Sequence, residues 1–244
     1  MPAESKLNIS TESSSANSEV DAGKLAGSRF ISAGLKEFWV QDLMNPIENF
    51  CIRAKFTPNQ ITIAGLILSF VASFLFATHH LILGGWMIIL SGCCDFLDGR
   101  IARRLQLKTQ SGAFFDSVMD RYMDTAVLCG LAYLFRDSWV LLLVFLAIIG
   151  TVATPYIRAK SESLGLDGAG GEMQRPERIV YIGIGAMLSG YLGCLMYPFL
   201  SPGEEIPPYF LIIGLSVVAF MSNKVALDRF FKTFNALKAT DNRK

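Results

Sequence analysis

Residues 81–135 read LILGGWMIILSGCCDFLDGRIARRLQLKTQSGAFFDSVMDRYMDTAVLCGLAYLF. Two long apolar runs meet across a short basic turn, and four carboxylates lie within them: Asp95, Asp98, Asp116 and Asp120. A charged Asp at the centre of a membrane-spanning helix costs about 2.5–3.5 kcal/mol, so four without compensation would cost on the order of 10 kcal/mol. Intramembrane acids therefore mark a functional site by default. Asp95 and Asp98 are i and i+3, and Asp116 and Asp120 are i and i+4, so each pair occupies one face of a helix. The short turn makes the two helices antiparallel neighbours, and the two acidic faces can converge.

Outward from this stretch the chain keeps the same character. Of 244 residues, 52% are hydrophobic and 18% charged, against about 25% charged in a soluble domain. Six apolar blocks fall near 61–78, 81–97, 114–135, 138–157, 178–200 and 207–227. Each is close to the roughly 17–25 residues needed to cross the hydrocarbon core. They are continuous rather than alternating, so they read as helices, one of the two structures able to span a bilayer. Before them, residues 30–52 place Phe30, Leu35, Phe38, Trp39, Leu43, Ile47 and Phe50 at helical spacing, with Lys36, Glu37, Gln41 and Asp42 between. That pattern predicts an amphipathic helix on the membrane surface or on the protein's own face, broken near Pro46. Residues 1–28 are rich in Ser, Glu, Asn, Ala and Gly without apolar period, a composition that cannot form a core. The expectation is an all-α integral membrane protein of six transmembrane helices with an N-terminal juxtamembrane amphipathic helix. Its parts are a disordered tail (1–28), the amphipathic helix (29–56), a six-helix catalytic domain (57–235) and a cytoplasmic tail (236–244).

Charge sets the orientation. Arg53 and Lys55 precede the first block. Arg100, Arg103, Arg104 and Lys108 lie between the second and third, and Arg158, Lys160, Arg175 and Arg178 between the fourth and fifth. Lys224, Arg229, Lys232, Lys238, Arg243 and Lys244 lie at or beyond the end of the sixth. The positive-inside rule puts these segments, the acids and both termini on the cytoplasmic side. A net charge of +1 gives no field that would gather nucleic acid. The five cysteines contain no C-x-x-C pair, which argues against a zinc site or a disulfide framework.

Four converging carboxylates repel one another unless cations hold them, and all-oxygen ligation suits Mg²⁺, Mn²⁺ or Ca²⁺. Two divalent ions would balance four negative charges and could clamp a phosphoryl centre. Gly99 and Ala102 keep the neighbouring surface small, Gly112 clears space one turn before Asp116, and Arg103 offers a planar fork for a phosphate. The set describes a pyrophosphate-containing substrate at the membrane surface. A cation or proton path through a transporter also uses intramembrane acids, but it gives no reason for Gly99, Ala102, Arg103 and Gly112 at these positions.

The pattern D-x2-D-G-x2-A-R-x8-G-x3-D-x3-D, filled here by Asp95, Asp98, Gly99, Ala102, Arg103, Gly112, Asp116 and Asp120, resembles the signature of the CDP-alcohol phosphotransferases. The six-span layout, with the motif across the second and third spans, is similar to that family as well. The resemblance implies that Asp95, Asp98, Asp116 and Asp120 bind two Mg²⁺ or Mn²⁺ ions and that Asp120 is the base for the acceptor hydroxyl. It implies that Gly99, Ala102, Arg103 and Gly112 form a cytidine diphosphate pocket. Asn59 and Thr62, in T-P-N-Q-I-T at 57–62, resemble a family segment beside that pocket, although Thr-Pro-Asn is also an ordinary helix start. The implied reaction transfers the phosphatidyl group of CDP-diacylglycerol to a polar alcohol, with CMP leaving. Relatives that use CDP-choline or CDP-ethanolamine tend to be longer chains with more spans. The family often forms homodimers.

The acceptor is read from the connection between the fourth and fifth blocks. Arg158, Lys160, Arg175 and Arg178 flank a stretch made flexible by Gly168, Gly170 and Gly171. Several cations beside one site suit a phosphorylated acceptor, yet cytoplasmic loops are basic in any case. Tyr156, Arg158 and Ala159, and later Arg175, Glu177 and Arg178, resemble segments of the inositol-phosphate branch of the family, while Lys160 stands where that branch more usually has Arg. Glycerol 3-phosphate, free inositol, serine and choline stay open as acceptors.

Overall fold

The computed structural model describes residues 44–166, 173, 175–199 and 206–241. The expected tail (1–28), the amphipathic segment up to residue 43, and Gly168, Gly170 and Gly171 lie outside the described residues. Among those described, the secondary structure is helical throughout. A first unit ends at Arg53 and contains α1, Asn45–Arg53, which starts at the expected break with Pro46 in its first turn. Among the described residues, the second unit, Ala54–Lys244, holds six helices. They are α2 (Pro58–Ala77), α3 (Leu81–Arg104), α4 (Gln110–Leu134), α5 (Val140–Ser163), α6 (Arg175–Met196) and α7 (Tyr209–Asp241), with a 3₁₀ turn, Tyr197–Phe199, after α6.

Local chemistry fixes where the helices begin and end. Thr57 caps α2 through a reciprocal pair: the Gln60 backbone N–H donates to Thr57 Oγ1, and the Thr57 N–H donates to Gln60 Oε1. Pro58 occupies the first turn, where its missing N–H is harmless. Chain reversal after α3 uses a Schellman end. The Leu107 N–H donates to Ala102 O and the Gln106 N–H to Arg103 O, with Gln106 in the left-handed region at φ 54°. Thr109 then caps α4 by accepting from the Gly112 N–H at 3.0 Å. Turn and cap together set the register in which the acids of α3 and α4 face each other.

The six helices of the second unit form a closed ring in the order α2, α3, α6, α7, α5, α4, each packed mainly on its two ring neighbours. The contacts define direction. Along α2 and α3, Phe76 meets Gly84, Ser69 meets Ser91 and Thr62 meets Asp98, so the pair is antiparallel. Asn59 approaches Gly112 and Ser73 approaches Gly130, so α2 and α4 are parallel. Ile179 packs on Gly92 and Ile82 on Gly190, so α3 and α6 are antiparallel. By the same reading α6 opposes α7, while α5 and α7 run together through Gly150–Asn223 and Ser161–Thr233. Every basic connection of the unit therefore comes to one end of the ring. At that end α3, α5 and α7 continue past the apolar blocks, and α2, α4 and α6 begin before them.

Away from its charged end the ring is largely apolar inside and out. Phe76, Leu131, Val144, Ala186, Leu211, Leu215 and Val218 are fully buried in the core. Outward, Phe74, Leu142 and Phe220 are 68%, 66% and 67% exposed, which suits lipid and not water. Among the described residues five helices, α2, α3, α5, α6 with its 3₁₀ extension, and α7, are long and apolar enough to cross a membrane. The sixth expected span, α4, is outside that set, since Asp116, Asp120, Arg121 and Asp124 occupy its first half. At 33 residues, α7 is about 50 Å long, well beyond the hydrocarbon thickness. It reaches Asp241, inside the stretch 236–244 expected as a tail.

The backbones of α2 and α4 touch at Gly130, where an added Cβ would stand 2.3 Å from Ser73 O and 2.6 Å from Ser73 Cα. Gly130→Ala must push α4 away from α2, and overpacking of this kind costs about 1–3 kcal/mol. A thermal melt of the purified variant in detergent is expected several degrees below wild type; an unchanged melting temperature would contradict the close approach.

Candidate active site

The acids lie at the charged end of the ring. One oxygen from each of Asp95, Asp98 and Asp116 falls within 4.8 Å of the others. Asp98 is buried, and Thr62 of α2 donates its hydroxyl to Asp98 Oδ2 at 2.5 Å. Thr62 also donates to Pro58 O at 3.1 Å, so the first turn of α2 positions this carboxylate. Three carboxylate oxygens so close together, with no soft ligand among them, match the donor set of a hard divalent cation.

Asp120 lies one turn further along α4 and faces a guanidinium. Arg175, the first residue of α6, donates through Nη1 to Asp95 Oδ1 and to Asp120 Oδ1, the second at 2.5 Å. Its Nε donates to Asp124 Oδ1 at 3.2 Å and its Nη2 approaches Met123 Sδ at 2.9 Å. Arg178, one turn on, donates through Nη2 to Asp124 Oδ2 at 2.6 Å. Arg121 reaches Asp120 Oδ2 at 3.7 Å from the exposed side. Since α6 and α4 are not ring neighbours, Arg175 and Arg178 cross the interior of the ring to reach these acids.

Of the motif's glycines, Gly99 borders open space and Gly112 is packed closely against its own helix cap. A Cβ added at Gly99 would meet only Arg103 Nη1, at 3.5 Å. One added at Gly112 would meet Thr109 Oγ1 at 3.0 Å and Asn59 Oδ1 at 3.9 Å. Thr62 of α2 thus touches Asp98, Asn59 of α2 comes near Gly112 of α4, Arg103 lies beside Gly99 on α3, and Ala102 lies one turn beyond Asp98. The four cations of the α5–α6 connection divide. Arg175 and Arg178 reach the acids. On α5, the exposed Arg158 donates to Glu162 Oε1 at 2.9 Å, and Lys160 is exposed.

Sequence reasoning placed Arg175 and Arg178 beside the site as acceptor cations and did not foresee their carboxylate partners. The signals were faint: an i, i+3 spacing of the two arginines, and Asp124 extending the Asp116–Asp120 stripe by one more turn.

The chain is similar to known proteins in sequence and in fold. Residues 55–220 match the family model for CDP-alcohol phosphatidyltransferases. The phosphatidylinositol phosphate synthase of Mycobacteroides abscessus is 36% identical over 156 residues, 62% of this chain and 71% of the relative. The archaetidylinositol phosphate synthase of Methanothermobacter thermautotrophicus is 32% identical over 199 residues, 82% of this chain and 92% of the relative. Crystal structures of Mycobacterium tuberculosis phosphatidylinositol phosphate synthase are also similar. The complex with manganese and citrate has a TM-score of 0.67 at 28% identity, covering 79% of this chain and 89% of that one. The complex with CDP-DAG has a TM-score of 0.65 at 29% identity, covering 79% and 94%.

Proposed function

The chain belongs to the CDP-alcohol phosphatidyltransferase family, and from that premise we propose that it transfers the phosphatidyl group of CDP-diacylglycerol to a hydroxyl of a phosphorylated polyol, inositol phosphate, in phospholipid biosynthesis. It is an enzyme and, with five helices apolar enough to span, a multi-pass membrane protein. The observation that carries the proposal is the cluster of Asp95, Asp98 and Asp116 oxygens within 4.8 Å beside the open face of Gly99. The relatives named for inositol phosphate products support the acceptor.

In this reading Asp95, Asp98, Asp116 and Asp120 hold two divalent cations, Mg²⁺ or Mn²⁺. Bound there, such ions neutralise a pyrophosphate and stabilise the attacking and leaving oxygens of an in-line displacement. Gly99, Ala102, Arg103 and Gly112, with Asn59 and Thr62, receive the cytidine diphosphate. Asp120 takes the proton of the acceptor hydroxyl as that oxygen attacks the phosphorus bearing the diacylglycerol, and CMP departs. Arg158, Lys160, Arg175 and Arg178 serve the acceptor phosphate as charge-assisted donors. α4 is the sixth span, its acids shielded from lipid inside the ring, and the charged end with both termini is cytoplasmic. Small residues on the spans permit a homodimer.

CMP release by purified protein with CDP-diacylglycerol and Mn²⁺ tests the acceptor across inositol phosphate, glycerol phosphate, inositol, serine and choline. Inositol phosphate is expected to be used about 10- to 100-fold more efficiently than free inositol, the ratio set by hydrogen bonds from charged donors to the phosphate. Equal use of free inositol or serine would overturn the phosphorylated acceptor.

A further inference from the structure

We infer that Asp124 is a positioning residue for the acceptor phosphate, holding Arg175 and Arg178 in a bracket across the ring. The inference rests on the assignment of those arginines to the acceptor.

Asp124 lies one turn beyond Asp120 on α4, and nine-tenths of its side chain is buried. Its two oxygens serve different helical turns of α6: Oδ1 takes Arg175 Nε at 3.2 Å and Oδ2 takes Arg178 Nη2 at 2.6 Å. Both guanidiniums are as deeply buried as the acid. Asp124, Arg175 and Arg178 themselves line a small cavity together with Ser69, Ser91 and Thr151, and apolar side chains form the rest of its wall.

Arg175 has three carboxylate partners, and they are not equivalent. Asp95 and Asp120 belong to the set assigned to divalent cations, and both engage the same atom, Nη1. Asp124 belongs to no such set and engages Nε, at the root of the planar fork. A fork held at its root keeps its plane while its tip exchanges partners. Asp124 is therefore the carboxylate that keeps Arg175 in place when Asp95 and Asp120 serve cations.

Stability alone is a weak reason for such a bracket. Burying three charged groups carries a desolvation penalty that often equals or exceeds their attraction, and apolar residues of similar volume would serve the fold as well. What the bracket supplies is orientation, and about 1 Å of misplacement of a positioning group can lower a rate 100-fold.

The test is a kinetic split on the full-length protein in detergent with Mn²⁺. Asp124→Asn removes the charge that both arginines share, and Asp124→Glu keeps it but moves it by one methylene. The expected result for Asp124→Asn is a KM for inositol phosphate raised about 10- to 100-fold, and for Asp124→Glu a smaller rise. The KM for CDP-diacylglycerol stays within about twofold in both, since neither Asp124 nor the two arginines it holds is assigned to the donor. If Asp124→Asn does not purify as a folded protein, Asp124→Glu decides. An unchanged KM for inositol phosphate in the folded variants, or an equal rise for both substrates, overturns the bracket and leaves the acceptor reading standing. A wild type that uses no phosphorylated acceptor overturns both.

Discussion

Asp120→Asn lowers CMP release from CDP-diacylglycerol by at least about 100-fold, the low end of what a positioned general base contributes, and leaves the helical fold intact. Asn keeps the size of the side chain and still offers an acceptor oxygen to Arg175, whose contacts with Asp95 and Asp124 persist. Asp95, Asp98 and Asp116 also persist, so Mn²⁺ still binds, although one proposed ligand is gone. The distinguishing feature is that the loss lies in turnover. With inositol phosphate and CDP-diacylglycerol both saturating, the rate stays low, because the missing group acts only when the hydroxyl is deprotonated. Full activity in a folded Asp120→Asn protein would remove Asp120 as the base.

Asp98→Asn abolishes turnover by a different route, and its signature is in stability. Asp98 is 4% exposed and shares a tight cluster with Asp95 and Asp116. Cation-free wild type bears the repulsion of these acids, so removing one charge leaves the variant at least as stable. Added Mn²⁺ stabilises wild type through linkage, by about 2.7 kcal/mol at a concentration 100 times the dissociation constant. In Asp98→Asn that increment shrinks sharply, since a neutral amide replaces the ligand that Thr62 orients. The expected thermal melts therefore cross: the variant melts at or above wild type without Mn²⁺ and below it with Mn²⁺. A variant with the wild-type Mn²⁺ response would show that the cations sit elsewhere.

These predictions rest on residues legible in the sequence to unequal degrees. The carboxylate pairs of α3 and α4 were legible because helical spacing and a short turn force them together, and the structure brings Asp95, Asp98 and Asp116 within 4.8 Å. The apolar blocks located all six helices of the second unit, but not their ends, because apolar composition reports the bilayer while caps such as Thr57 and Thr109 report the helix. By composition α4 is too acidic to count as a span, and three of the residues that spoil its hydropathy, Asp116, Asp120 and Asp124, are the acids that meet the α3 carboxylates or the α6 arginine. Thr62 entered on a family segment, and its hydrogen bond to Asp98 gives that segment a physical basis. The Arg175 bridge was not legible. It joins positions 80 and 55 residues apart across a ring whose neighbours are not consecutive in sequence, and no periodicity carries that information.

The most direct measurement is of CMP and lipid product formed by the purified protein from CDP-diacylglycerol and inositol phosphate with Mn²⁺ or Mg²⁺. The predicted result is one phosphatidylinositol phosphate for each CMP, lost on chelation and restored by the metal. No turnover of CDP-diacylglycerol with any polar acceptor, alongside turnover of CDP-choline with diacylglycerol, would contradict it.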